Sequence, residues 1–150
     1  MKKVKQQLYA FCCQWVDKKI DLAVASIKSA QDSANEETKS SAGDKYETGR
    51  AMAQLEIEKN SIQLAEANKL KKSLSEFNED TSADFVRLGS LVKTDKGWFY
   101  LSLSAGSTKI EETSYICLSP ASPLGSAMMG LKKGGSFSFN KVNYLIQGIF

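Results

Sequence analysis

From Val4 to Ser41 the chain contains neither proline nor glycine, and from Asp44 to Asn78 the only glycine is Gly49. Proline removes a backbone donor and clashes with the preceding turn, and glycine adds backbone entropy, so these are the residues that interrupt helices. Two runs of this length without them predict two long helices. Between the runs, Gly43-Asp44 reads as a turn followed by a helix start. With roughly 35 residues per arm, the pair would form an antiparallel αα-hairpin on the order of 50 Å long, its tip near residues 41–50.

The apolar spacing supports this reading. Val4, Leu8, Phe11 and Trp15 step alternately by four and three, as do Ile20, Val24, Ile27, Gln31 and Ala34. Those are heptad steps and predict a narrow amphipathic seam that shifts between Trp15 and Ile20. Leu55, Ile62, Leu70, Leu74 and Phe77 make a looser second seam. Toward the tip the seam turns small and polar through Ser29, Ala30, Ser33, Ala34, Ser40 and Ser41. Such residues bury little apolar area, so the distal part is expected to be the less stable part. A monomer is expected, with a four-helix bundle made by two copies as the alternative.

The stretch Asn78 to Asp84 replaces the helical pattern with turn formers and is read as a linker between residues 1–80 and 81–150. Beyond it the period changes. Phe85 to Val92 reads as a strand with a bend at Gly89, and Asp95-Lys96-Gly97 as a hairpin turn. Trp98 to Leu103 reads as an aromatic-rich strand. Gly106-Ser107 reads as a loop, and Ser114 to Leu118 as another strand. Ser122 suits a helix N-cap, Pro123 the first helical position and Gly130 the residue past the end, which predicts a short helix. Ser136 to Phe139 and Tyr144 to Phe150 follow as strands, with a turn at Asn140 to Asn143. The fold class is therefore α+β: a helical hairpin, then a small antiparallel sheet with one short helix.

The absence of histidine excludes Ser-His-Asp hydrolases and histidine-metal enzymes. Residues 1–80 are electrically balanced, and the whole surplus of +3 falls in residues 81–150. A surplus this small does not point to bulk nucleic-acid binding. Cys12 and Cys13 are adjacent and Cys117 is alone, which is neither metal-ligand spacing nor a disulfide framework. Reduced core thiols in a cytoplasmic protein are expected. The apolar run from Leu8 to Cys13 is too short for a membrane span.

Three stretches of the closing domain carry a resemblance: Leu88-Gly89-Ser90-Leu91-Val92, Leu118-Ser119-Pro120-Ala121-Ser122-Pro123-Leu124-Gly125, and Ala127-Met128-Met129-Gly130-Leu131-Lys132-Lys133-Gly134. They resemble the C-terminal domain of the Gre-type transcript-cleavage factors of bacterial RNA polymerase, a domain similar to FKBP prolyl isomerases. The family usually has arginine after Gly125 and aspartate after Gly134; here those residues are Ser126 and Gly135. At the tip of its coiled coil the family carries Gly-Asp-x-x-Glu-Asn, and this chain has Gly43-Asp44-Lys45-Tyr46-Glu47-Thr48. The following Gly49-Arg50-Ala51 departs from the usual Ala-Glu-Tyr and makes the tip more basic.

The resemblance implies an accessory factor rather than an enzyme. The closing domain would dock on bacterial RNA polymerase, with contacts through Ser122, Pro123, Leu124 and Gly125. The hairpin would enter the secondary channel, where Asp44 and Glu47 would share a Mg²⁺ with the polymerase and assist cleavage of the backtracked RNA 3′ end. Lys45, Tyr46 and Arg50 would contact RNA or polymerase. The residue types suit such chemistry, because carboxylates at i and i+3 share a helical face and Mg²⁺ is held by one or two carboxylates plus substrate and water. The same pair also reads as a capping box, with Asp44 as N-cap and Glu47 three residues on. Lys39, Lys45, Arg50 and Lys59 read equally as a solvated face, and Tyr46 equally as tip packing. Two further functions stay open: a non-catalytic channel occupant that inhibits or modulates the polymerase, and an FKBP-like binding module with no link to it.

Overall fold

The first breaker-free run forms α1 (Lys2–Thr38) and the second forms α2 (Gly43–Ser75) in a computed structural model of the chain. The structure describes residues 1–38, 43–77 and 84–150, with side chains for 1–36, 47–77 and 84–150. Gly43 and Asp44, expected as a turn leading into a helix, are already the first residues of α2. Residues 39–42 and most of the expected linker, 78–83, lie outside the described residues. The chain divides into two units: Val16–Ser73, and Met1–Trp15 together with Leu74–Phe150.

In the first unit the two helices run antiparallel, with Lys71 Nζ 2.9 Å from Asp17 Oδ1. Both side chains are more than half exposed, so this ion pair contributes little stability. The seam is built from small residues. On α1 the buried positions are Val16, Ala23 and Ala30, and on α2 they are Ala53, Asn60 and Ala67, each set recurring every seven residues. The expected seam residues Val24, Leu55 and Ile62 are instead 50%, 65% and 62% exposed. Helix separation follows the size of the side chains at the contact, so alanine permits a close approach that leucine or isoleucine would prevent. Asn60 is tolerated in the seam because its amide donates to the Glu56 carbonyl oxygen at 2.9 Å and to Glu56 Oε1 at 3.2 Å.

The second unit is organised by a sheet of six strands: β1 (Leu91–Thr94), β2 (Gly97–Leu101), β3 (Gly106–Ile110), β4 (Thr113–Leu118), β5 (Ser136–Phe139) and β6 (Val142–Ile149). Their spatial order is β3-β4-β2-β1-β6-β5. The α+β class read from the sequence holds, with three differences in the sheet. The strand expected over Phe85 to Val92 begins only at Leu91, and Phe85 makes just an isolated bridge to Lys132. The stretch from Gly106, expected as a loop, is the edge strand β3; its Gly-Ser-Thr-Lys-Ile sequence is polar because it lies half in solvent. The sheet is also mixed, because β4 pairs antiparallel with β3 and parallel with β2.

Both faces of the central strands are buried. On one face Val86, Val92, Phe99, Leu101, Leu118, Met128 and Ile146 form the core, under the short helix α3 (Pro123–Met128). The opposite face presents Leu91, Tyr100 and Cys117 in one row, since Leu91 pairs with Tyr100 and Tyr100 with Cys117. That face meets helix ends: Cys12 of α1 contacts Ser102, and Phe77 sits edge-on to Tyr100 with centroids 6.3 Å apart.

Candidate functional site

Two places carry the residues singled out by sequence. At the start of α2, the helix begins at Gly43, so Asp44 lies one residue inside it, not at the flanking cap position. Asp44 is therefore in the first turn, where the unpaired N–H groups favour negative charge, and Glu47 follows at i+3 on the same face. Glu47, Thr48 and Arg50 are exposed, and so is Lys59. The side chains of Asp44, Lys45 and Tyr46, and the whole of Lys39, lie outside the described residues. Two carboxylates at this spacing can hold an ion only with oxygens from elsewhere. Among the described residues, no group of three or more Cys, Asp or Glu is placed to hold a metal ion.

The second place is the turn from Ser119 into α3. Ser122 is the N-cap: its hydroxyl accepts from the Gly125 N–H at 3.1 Å and donates to the Ser119 carbonyl oxygen at 2.6 Å. The Ser119 hydroxyl accepts from Ala121 N at 3.1 Å. Pro123 takes the first helical turn, as its fixed φ allows. Gly125 is required by space. A Cβ there would stand 2.1 Å from the Ser119 carbonyl oxygen and 2.9 Å from Ser122 Oγ. Of the four residues expected to contact polymerase, Pro123 is exposed, Ser122 and Leu124 are half-buried and Gly125 is buried. Leu124 packs against the core. The stretch thus builds a rigid corner, whose exposed residues are Ala121, Pro123 and Ser126.

A groove of about 400 Å³ opens beside the alanine seam, lined in part by Leu22, Ala23, Ser26, Gln63 and Ala67. It follows from the small seam side chains and brings together none of the residues above. Sequence reasoning also missed a buried contact in the sheet unit, where the Cys12 sulfur lies 3.2 Å from the Ser102 hydroxyl. No local signal marks it, because its members come from α1 and the bend after β2. No helix among the described residues is long and apolar enough to cross a membrane.

No family model matches the chain, and no curated protein matches it. Among solved structures, one described as the structure of the transcription factor Gfh1 is similar over 91% of this chain and 92% of that chain. The sequence identity is 19% and the TM-score 0.37, a likeness too weak to carry a functional argument.

Proposed function

We propose that this chain is a Gre-like transcription elongation factor, an accessory protein that stimulates cleavage of backtracked RNA by bacterial RNA polymerase. The observation that carries the reading is the placement of Asp44 and Glu47 at i and i+3, at the N-terminal start of the second arm of a long helical hairpin. The Gly-Asp-x-x-Glu resemblance falls at that point, and the Ser119–Gly130 resemblance falls on the cap and corner of α3. In this reading the sheet-bearing unit anchors to polymerase and the hairpin enters the secondary channel. Two-metal phosphodiester hydrolysis needs carboxylate oxygens and a positioned water. Asp44 and Glu47 would lend those oxygens to a Mg²⁺ shared with the polymerase, while Arg50 and Lys45 would meet phosphate or carboxylate.

The test uses stalled, backtracked polymerase complexes. The parent protein should accelerate RNA cutting, and Asp44→Asn combined with Glu47→Gln should return it toward the factor-free rate. Neutral amides preserve the helix start but are much poorer Mg²⁺ ligands. Binding to core polymerase, read by pull-down, should persist in the variant. Unchanged cutting by the double variant would sink the role given to the two carboxylates.

A second reading rests on the exposed Arg50, which stands where the resemblance leads one to expect an acid. A basic tip in the channel would occupy the site without assisting hydrolysis. A parent protein that binds polymerase and slows elongation without stimulating cutting would establish this modulator role. Absence of polymerase binding would leave the FKBP-like binding module.

A further inference from the structure

The sheet face that meets the helix ends carries a second row of side chains. Two residues along from Leu91, Tyr100 and Cys117, and so on the same face, stand Lys93, Trp98 and Tyr115. Lys93 is exposed, Trp98 is half-buried and Tyr115 is buried. The Trp98 ring centroid lies 5.8 Å from that of Tyr115 and 6.0 Å from that of Phe150. Phe150 comes this close because Gly148, the partner of Lys93 on β6, has no side chain. A Cβ at Gly148 would stand 3.0 Å from the Phe150 ring. The Lys93 ammonium lies over the Trp98 ring, 5.5 Å from its centroid.

We propose that Trp98 and Lys93 form a binding site for single-stranded nucleic acid, in which one base stacks on the indole and the adjoining phosphate takes the Lys93 ammonium. Every base has a π face, so an aromatic ring beside a cation suits a nucleotide whatever its sequence. Tyr115 and Phe150 brace the indole, so little side-chain freedom remains to be lost when a base stacks. Without a ligand the ammonium is held at the ring by its quadrupole. A stacked base takes that place, and the flexible lysine stem carries the charge to the phosphate beside it. A single strand is the form required, because each base of a duplex already has neighbours on both faces.

The charge around the site agrees with one phosphate contact rather than a broad basic surface. Asp95, the next carboxylate along β1, has Lys96 Nζ 3.4 Å away, so it does not cancel Lys93. Lys109 of β3 is on the opposite face of the sheet, since Thr108 before it is the partner of Tyr115. The site uses none of the residues assigned above to polymerase or Mg²⁺, and it stands or falls independently of that function.

The experiment titrates the full chain with a short single-stranded oligoadenylate and follows tryptophan fluorescence. The chain has two tryptophans, Trp15 and Trp98, and quenching should come from Trp98 alone. Trp98→Phe should therefore abolish the quenching. The binding constant should fall with salt at a log–log slope of about −0.7, the value for one phosphate on a single strand. Lys93→Gln changes an exposed side chain and should weaken binding about threefold while flattening that slope. Lys109→Gln, a cation lost from the other face, should bind as the parent does. The proposal is overturned if the parent is not quenched, if the two lysine variants weaken binding equally, if duplex RNA binds as tightly, or if inorganic phosphate alone gives the same response. Since both lysines are exposed, the comparison does not depend on a core variant that fails to fold.

Discussion

The Tyr9 hydroxyl donates to the Leu74 carbonyl oxygen at 2.8 Å, linking α1 to the last turn of α2. The final carbonyls of a helix have no partner further along it. Here the Leu74 oxygen takes both the Tyr9 hydroxyl and the Phe77 N–H, the latter at 3.2 Å. The Tyr9 ring also stacks on Phe77, whose centroid is 5.8 Å away, and Phe77 meets Tyr100 edge-on. A chain of three rings thus joins the helix ends to the sheet.

Tyr9→Phe keeps the ring stack and removes only the hydroxyl. Its expected cost is about 1 kcal/mol, the net worth of one such hydrogen bond. Phe77→Ala empties the space between Tyr9, Tyr100 and Gly89 and should cost about 3 kcal/mol. Urea unfolding followed by tryptophan fluorescence measures both. Equal losses for the two variants would mean that the hydroxyl, not the ring, holds the helix ends.

The corner at α3 separates a cap from a steric requirement. Ser122→Ala removes the hydroxyl that accepts from Gly125 N, and should cost about 1 kcal/mol. Gly125→Ala drives a methyl group into the Ser119 carbonyl oxygen, so the backbone must shift. Overpacking of this kind costs about 3 kcal/mol or more. The ranking, glycine above serine, is the observable in thermal or urea unfolding.

The alanine seam predicts an inverted pattern of sensitivity in the hairpin. Ala67→Leu inserts bulk where the helices touch and should destabilise by about 1–3 kcal/mol. Leu55→Lys and Ile62→Lys change exposed positions and should stay within about 0.5 kcal/mol of the parent. Helicity melts by circular dichroism distinguish the seams. If the lysine variants lose more than Ala67→Leu, the leucine-isoleucine seam expected from spacing is the true one.

Asp95 gives the sheet unit a pH dependence. Its Oδ1 accepts from the Leu145 N–H at 2.8 Å, joining the β1–β2 turn to β6. That bond, helped by Lys96, holds the carboxyl below its ordinary value of 3.8. A depressed folded pKa means a contribution present above 3.8 and lost as pH falls below it through the lower folded value. Asp95→Asn keeps an acceptor for Leu145 but removes the titration. Its stability should therefore fall less steeply below pH 3.8 than the parent's. Superimposable acid limbs for the two proteins would refute the assignment.

The start of α2 and the α3 corner were legible because their signals are local. Gly43, Asp44 and Glu47 lie within one short stretch, and Ser122, Pro123 and Gly130 bracket a single short helix. The strand at Gly106 was missed because an edge strand half in solvent needs no apolar alternation. The parallel pairing of β2 with β4 was also out of reach, because it depends on where β3 carries the chain before β4 returns.

By itself, the sequence determined where helices could run and that Ser122 caps the short helix α3. Backbone freedom, hydrogen-bond capacity and side-chain size act over a few residues. Only the tertiary structure decided which faces touch. Spacing alone marked Val24, Leu55 and Ile62 as seam residues, but the helices meet through Ala23, Ala30, Ala53 and Ala67, since small side chains allow the closer approach. It likewise brought Cys12 against Ser102. Contacts between residues so distant in sequence follow from which surfaces exclude water together, and no local pattern encodes that choice.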